Sequence, residues 1–240
     1  MKGIVLAGGL GTRLYPLTRN DNKHLLPVYD KRMVELPLAT LVDGGIKDII
    51  LITGGHSPGK FLEIFKNGRS VGARRLYYTY QEGEGGIADA LKLARPFMRP
   101  KESCVVILGD NYFECGIREH YRSWDKRGAH VFLKKVDSPW SYGIAEIEDE
   151  KVVGIEEKPK QPKSNLAIVG CYMFDHTLWS KLEKIELSKR NELEITEVLK
   201  LYMRDLDLTY SFYDGYWQDM GTFENWMDVS RRLSEGKCRY

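Results

Sequence analysis

The feature that most limits the architecture of this chain is a short apolar run, Ile4 to Ala7, that passes directly into Gly8-Gly9-Leu10-Gly11-Thr12-Arg13. Such a run closed by glycines predicts a buried strand, and a Gly-rich turn after it lies where open α/β sheets present ligands, at the carboxyl ends of their strands. Similar runs recur at Asp48 to Thr53 and Cys104 to Leu108, the last followed by Gly109-Asp110. Between them Val34 to Val42, Phe61 to Lys66 and Ile87 to Ala94 carry helical spacing. Strands alternating with helices predict a parallel sheet with right-handed crossovers, so the first half reads as Rossmann-like.

The texture changes after about residue 130. Val131 to Val136, Gly143 to Ile147, Lys151 to Glu156 and Ala167 to Phe174 are strand candidates with few long helices between them, which predicts a mixed extension of the sheet. Helices follow at Leu178 to Ile185 and Glu194 to Tyr202, then a strand at Leu208 to Tyr213 and an amphipathic helix from Phe223 to Leu233. At 240 residues with no Ser/Gly/Pro-rich linker, one α/β domain is the expectation.

Charge excludes some partners. With 36 Lys and Arg against 34 acidic residues, the net charge of +2 sets up no large field, so neither nucleic acid nor a membrane surface is expected as a partner. Any anion must be held locally. Cys104, Cys115, Cys171 and Cys238 show no CxxC spacing and read as buried thiols in a reducing cytosol. The segment before the glycines is too short for a signal-peptide core, and no eighteen apolar residues run together, so a soluble cytoplasmic protein is expected.

The Gly-rich loop suits a phosphate chain: glycines allow close backbone approach, and Thr12 and Arg13 add a hydroxyl and a fixed cationic fork. It is not a Walker loop, because the Lys-Ser/Thr pair is missing, and position 14 is Leu where the dinucleotide fingerprint has its third glycine. On these residues alone an unliganded tight turn fits equally well.

The longer pattern decides between them. Leu6-Ala7-Gly8-Gly9-x-Gly11-Thr12-Arg13-Leu14-x-Pro16-Leu17-Thr18, followed by Lys23-His24-Leu25-Leu26-Pro27-Val28, resembles the signature of the sugar nucleotidyltransferases. Within that family it is similar to the glucose-1-phosphate thymidylyltransferases in a short form, and Glu192-Leu193-Glu194-Ile195-Thr196 resembles a segment typical of them. The resemblance covers residues 2 to about 230. It implies a nucleotidyltransferase fold, with a nucleotide-binding half at about 1–130 and a sugar-binding half at about 131–240.

It also implies roles. Leu6, Gly8, Gly9, Gly11 and Thr12 would cradle the nucleotide, with Arg13 and Lys23 on the triphosphate, where charge grows on the leaving oxygens. Gln81 would read the pyrimidine through its amide, and Gly86 would let the base lie flat. Asp110 and Asp219 would hold Mg²⁺, and Arg13, Lys23 and Asp110 form the catalytic set. Tyr142, Gly143, Glu157, Lys158 and Gly170 would bind the sugar phosphate. Read singly, Asp110 and Asp219 also fit helix caps, the second within a short turn opening the last helix.

The implied reaction joins dTTP to glucose 1-phosphate, giving dTDP-glucose and pyrophosphate without a covalent intermediate. The alternatives are a uridylyl- or cytidylyltransferase and, from another class, a non-catalytic nucleotide-sugar sensor. Family members usually form homo-oligomers. Arg32 and Glu35 depart from the family pattern, where a Pro and an aromatic are common, and are expected to alter local rigidity or a subunit contact. The sequence ends ahead of the helical extension of long forms, which puts their regulatory nucleotide site in question.

Overall fold

From Ile4 onward the first strand, β1 (Lys2–Ala7), is apolar on both faces, and in the computed structural model, which describes residues 1–237, every residue of it is buried. A ribbon of β2 (Pro27–Val28) and β3 (Lys31–Arg32) precedes α1 (Glu35–Asp43). Next come β4 (Asp48–Gly54), α2 (Pro58–Phe65), β5 (Arg75–Gln81), α3 (Ile87–Lys92) and β6 (Cys104–Leu108). β7 (Asn111–Phe113) and α4 (Arg118–Ser123) lead to β8 (Ala129–Lys135), the hairpin of β9 (Gly143–Glu148) and β10 (Lys151–Glu157), and β11 (Leu166–Phe174). The described chain closes with α5 (Leu178–Leu182), α6 (Ile195–Arg204), β12 (Leu208–Phe212), β13 (Trp217–Asp219) and α7 (Phe223–Ser234).

One mixed sheet runs through the molecule in the order β10-β9-β11-β6-β1-β4-β5, with β8 on β11 and β12 on β8. Its β6-β1-β4-β5 portion is parallel throughout, and β11 is the antiparallel strand that joins it to the later elements. Alternation along β1 sorts the core. Ile4 and Leu6 face α3, α5 and α6, while Val5 and Ala7 face α1 and α2. A third, smaller cluster binds Leu14, Val28 and Met33 to Met220, Val229 and Leu233, so α7 clamps the loop that follows β1.

Four short strands, β2, β3, β7 and β13, escaped sequence reading. β7 and β13 have three residues each and pair antiparallel, with Asp219 opposite Asn111. Asp219 therefore ends a strand rather than lying in a turn that opens a helix; the cap of α7 is Thr222, whose hydroxyl accepts from Asn225 N. The thiol expectation also needs correction: Cys104 and Cys171 are buried and unpaired, but Cys115 is exposed, because it sits on the loop after β7 rather than in a strand. Cys238 lies outside the described residues. Arg32 and Glu35, the two departures, pair with each other at 3.1 Å. Among the described residues no helix is long and apolar enough to cross a membrane.

Candidate active site

The loop after β1 is held from three sides. Gly11 adopts a left-handed φ of 68°, and a side chain there would come within 2.8 Å of Lys23 Cβ, so both backbone and space require glycine. Thr18 Oγ1 donates to Gly11 O at 2.7 Å. Asn22, almost wholly buried, fixes the other arm: its Nδ2 donates to Ala7 O at 3.1 Å and Gly54 O at 2.8 Å, and its Oδ1 accepts from His24 N at 2.9 Å. One amide thus ties the ends of β1 and β4 to the turn that carries Lys23.

His24 Nδ1 lies 2.7 Å from the same Asn22 oxygen. Burial, with the Lys23 charge beside it, pushes His24 down to about 3, so it stays neutral in the folded protein. A histidine depressed on folding contributes stability above its unfolded pKa, near 6.5, that is lost as pH falls toward about 3. Wild type should therefore lose more stability than His24→Gln between about pH 7 and about pH 4, measured as urea midpoints; parallel losses would remove His24 from the acid response.

Asp110 follows β6 and is buried. Its Oδ2 accepts from Lys23 Nζ and its Oδ1 from Asn111 Nδ2, the latter at 2.9 Å. Burial pushes its carboxyl up, but the adjacent Lys23 ammonium outweighs that and holds it well below the usual range. Asp219 is brought to it by the β7–β13 pairing, reinforced by Met220 N donating to Asp110 O at 2.9 Å. Burial and then the Asp110 charge push Asp219 up to about 6, partly offset by Lys23 and Arg13. Arg13 rests over Gly221, where an added Cβ would lie 2.5 Å from Nη2.

The Asp110 charge lies close enough to raise Asp219 even with Lys23 and Arg13 nearby, so a further cation between the two carboxylates would be favoured. Among the described residues no group of three or more His, Cys, Asp or Glu is arranged to hold a metal. A pair fits Mg²⁺, which takes one or two carboxylates and completes its shell with water and substrate phosphate oxygens.

The sugar-side candidates share a cleft of about 1070 Å³ with these groups: Gly9, Gly11, Thr12, Arg13, Lys23 and Asp219 line it, as do Tyr142, Gly143, Glu157, Lys158 and Gly170. Tyr142 meets Trp217 edge-on at 5.4 Å, and Trp217 Nε1 donates to Asn111 Oδ1 at 2.7 Å, which links the two walls. Burial and the nearby Glu194 raise the Glu157 carboxyl, against the lowering effect of Lys158 and Arg190. Lys158 keeps a left-handed φ of 42° and donates its N–H to Tyr142 O at 3.0 Å.

Five candidates are not among the residues lining this cleft: Leu6, Gln81 and Asp110 are buried, and Gly8 and Gly86 are half-buried. Leu6 is a core side chain whose carbonyl accepts from Gly109 N at 2.8 Å. Gln81 is buried, not on a surface turn; its Nε2 donates to Gly86 O at 3.1 Å and Asp89 Oδ2 at 2.8 Å, while Oε1 lies against Gly8. Sequence reading missed Asn22 and also Arg190, which lines the cleft 3.7 Å from Glu157. A basic residue two positions before an acidic pair carried no signal of its own.

The nucleotidyl transferase family model matches residues 2–236. A glucose-1-phosphate thymidylyltransferase of Xanthomonas campestris is 41% identical over 93% of this chain and 77% of its own length. The enzyme of that name from Mycolicibacterium smegmatis is 37% identical over 96% and 81%. Among solved structures, a candidate glucose-1-phosphate thymidylyltransferase of Bacillus anthracis in complex with sucrose is 40% identical, covers 96% of this chain and 94% of that one, and superposes with a TM-score of 0.90. A UDP-glucose pyrophosphorylase complexed with UDP-glucose, 20% identical with a TM-score of 0.84 and 98% of each chain covered, shares the fold. Matched over residues 2–236 and 41% identical to a relative along 93% of its length, this chain belongs to the nucleotidyl transferase family.

Proposed function

We propose that the chain transfers a thymidylyl group from dTTP to glucose 1-phosphate, giving dTDP-glucose and pyrophosphate. The observation that carries this reading is the one continuous cleft in which Lys23, Arg13 and Asp219 face the same space as Glu157, Lys158 and Arg190. It has cations for a triphosphate and, separately, a carboxylate beside cations for a hydroxylated phosphate ester.

In this reading the residues about 1–130 bind the nucleotide and those from about 131 bind the sugar phosphate, with Asp219 crossing over to the first group. Arg13 and Lys23 hold the triphosphate and stabilise charge on departing pyrophosphate. A Mg²⁺ ion held by Asp110 and Asp219 supplies charge to the phosphates when bound. Lys158 and Arg190 orient the sugar phosphate, whose already ionised oxygen attacks the α-phosphorus in line. No side chain needs to act as nucleophile. The buried, unpaired thiols Cys104 and Cys171 suit a reducing cytoplasm.

Base choice rests on Gln81. Its amide N–H groups are engaged within the protein, so the carbonyl remains to accept; the imide N–H of thymine or uracil meets it directly, whereas cytosine would have to shift to offer its N4 amine. Relative kcat/KM should rank dTTP above UTP and leave CTP poor; a preference for CTP contradicts the assignment. Lys158→Ala should raise KM for glucose 1-phosphate about tenfold or more while KM for dTTP stays within about twofold, since one charge-assisted bond is worth roughly 1.5–3 kcal/mol. Equal effects on both substrates would undo the division between the two halves.

A further inference from the structure

The chain has five tryptophans, and four are held by packing or hydrogen bonds. Trp124 and Trp217 are buried, with their indole N–H groups on Arg127 O and Asn111 Oδ1. Trp179 packs against the main core, and Trp226 donates to Pro27 O while meeting the Phe223 ring. Trp140 differs: it is 57% exposed, and no ring contact or hydrogen bond of its indole is present among the described residues. A single exposed aromatic is ordinary on a protein surface, so the informative fact is where this one stands.

That position is the wall of the cleft. Trp140 lines it beside Ser141, Tyr142 and Lys158. Its backbone is not loose. Pro139 is buried, Ser141 N donates to Ser138 O at 3.1 Å, and Tyr142 N donates to Pro139 O at 3.2 Å, forming a tight turn between β8 and β9. The turn continues into Tyr142, whose carbonyl receives the Lys158 N–H. A rigid aromatic on a fixed turn offers contact area at little entropic cost. The turn that carries it leads through Tyr142 into Gly143 at the start of β9, and Tyr142 O holds the Lys158 N–H, so Trp140 is tied to the residues assigned to the sugar phosphate.

We propose that Trp140 is a specificity-determining residue that covers the C–H face of the hexose, so that the apolar side of the sugar ring meets the indole while its hydroxyls and phosphate meet Glu157 and Lys158. Flat indole against the axial C–H bonds of a pyranose removes apolar area from water on both partners. The indole N–H remains free to donate to a ring hydroxyl. The proposal rests on the assignment of this cleft to a sugar phosphate, and it predicts discrimination by ring shape: a hexose with an axial hydroxyl on the covered face would lift off the indole.

The test separates this contact from the reaction itself. The emission of Trp140, taken as the difference between wild type and Trp140→Phe, should shift saturably on adding dTDP-glucose and not on adding dTDP. Trp140→Ala should raise KM for glucose 1-phosphate about fivefold to twentyfold with KM for dTTP unchanged, and Trp140→Phe should recover most of the loss. Because the side chain is exposed and outside the core, both variants should melt within a few degrees of wild type. A difference emission that ignores dTDP-glucose, or an unchanged sugar phosphate KM in Trp140→Ala, overturns the proposal even where wild type turns over normally. A response to dTDP alone would place the indole on the nucleotide and overturn it as well. Failure of wild type to release pyrophosphate, with the emission shift intact, would count against the reaction assignment and leave the sugar contact standing.

Discussion

Asp110→Asn is expected to lower kcat by a factor on the order of 10²–10³, the loss typical of removing one preorganised charge from a transition-state site. The substitution is nearly isosteric, and the amide oxygen can still accept from Asn111 Nδ2 as Oδ1 does now. What it removes is a negative charge, and three consequences follow. The site loses half of its carboxylate pair for the cation. Asp219, relieved of a neighbouring charge, titrates lower than about 6. Lys23, whose side chain is only 12% exposed, loses its carboxylate partner and keeps a buried charge, so stability falls as well. Turnover measured well below the melting temperature separates the two effects: a folded variant with near-normal kcat would remove Asp110 from the reaction.

Asn22→Ala should cost about 3–5 kcal/mol of stability, among the largest effects of any loop substitution in the chain. The amide makes two donations and accepts from a backbone N–H, all in a buried setting. Truncation leaves the carbonyls of Ala7 and Gly54 and the His24 N–H without partners where water does not reach them freely. For a chain of this size that corresponds to a drop in Tm of roughly 10 °C or more. Asn22→Asp should do no better, because an acidic oxygen would face two carbonyls. A Tm within about 2 °C of wild type would show that Asn22 does not brace the turn under Lys23.

The long elements were legible because burial imposes a period on them. β1, β4 and β6 read as continuous apolar runs since both faces are covered, and α6 reads from the spacing of Ile195, Val198, Leu199 and Tyr202. The short elements were not. Three residues in β7 and three in β13 carry no period; they are strands only because the fold lays one beside the other. That pairing sets Asp219 against Asp110 across more than a hundred residues of chain. Asn22 illustrates a second blind spot. An asparagine before a turn predicts a local cap, which it is, yet its two long-range bonds to β1 and β4 have no local signature. Likewise Arg190 and Trp140 belong to the cleft through tertiary placement, and neither stands in a motif whose spacing announces it.

Two buried side chains next to the cleft sharpen how it is built. Gln81 and Asp110 do not line the open space, but each is joined to a residue that holds its wall: Gln81 Oε1 lies against Gly8 in the loop after β1, and Asp110 is bonded to Lys23. The loop, the β6 terminus and the β7–β13 ribbon are thus tied together by the Lys23–Asp110 pair, the Met220 N–H on Asp110 O and the pairing of β7 with β13. Substitutions at Gly221 should behave like substitutions at Arg13, since a side chain there would meet the guanidinium and, at 2.8 Å, Asp219 Oδ1.

The central claim is that one cleft joins a thymidine nucleotide to a hexose phosphate, and its most direct test follows both products. Purified protein with Mg²⁺, dTTP and glucose 1-phosphate should release pyrophosphate in equal amount to the dTDP-glucose formed, and chelation of the metal should stop both. Absence of pyrophosphate with this pair and with every other nucleotide and sugar phosphate tried would contradict the account and leave a protein that binds nucleotide sugars without making them.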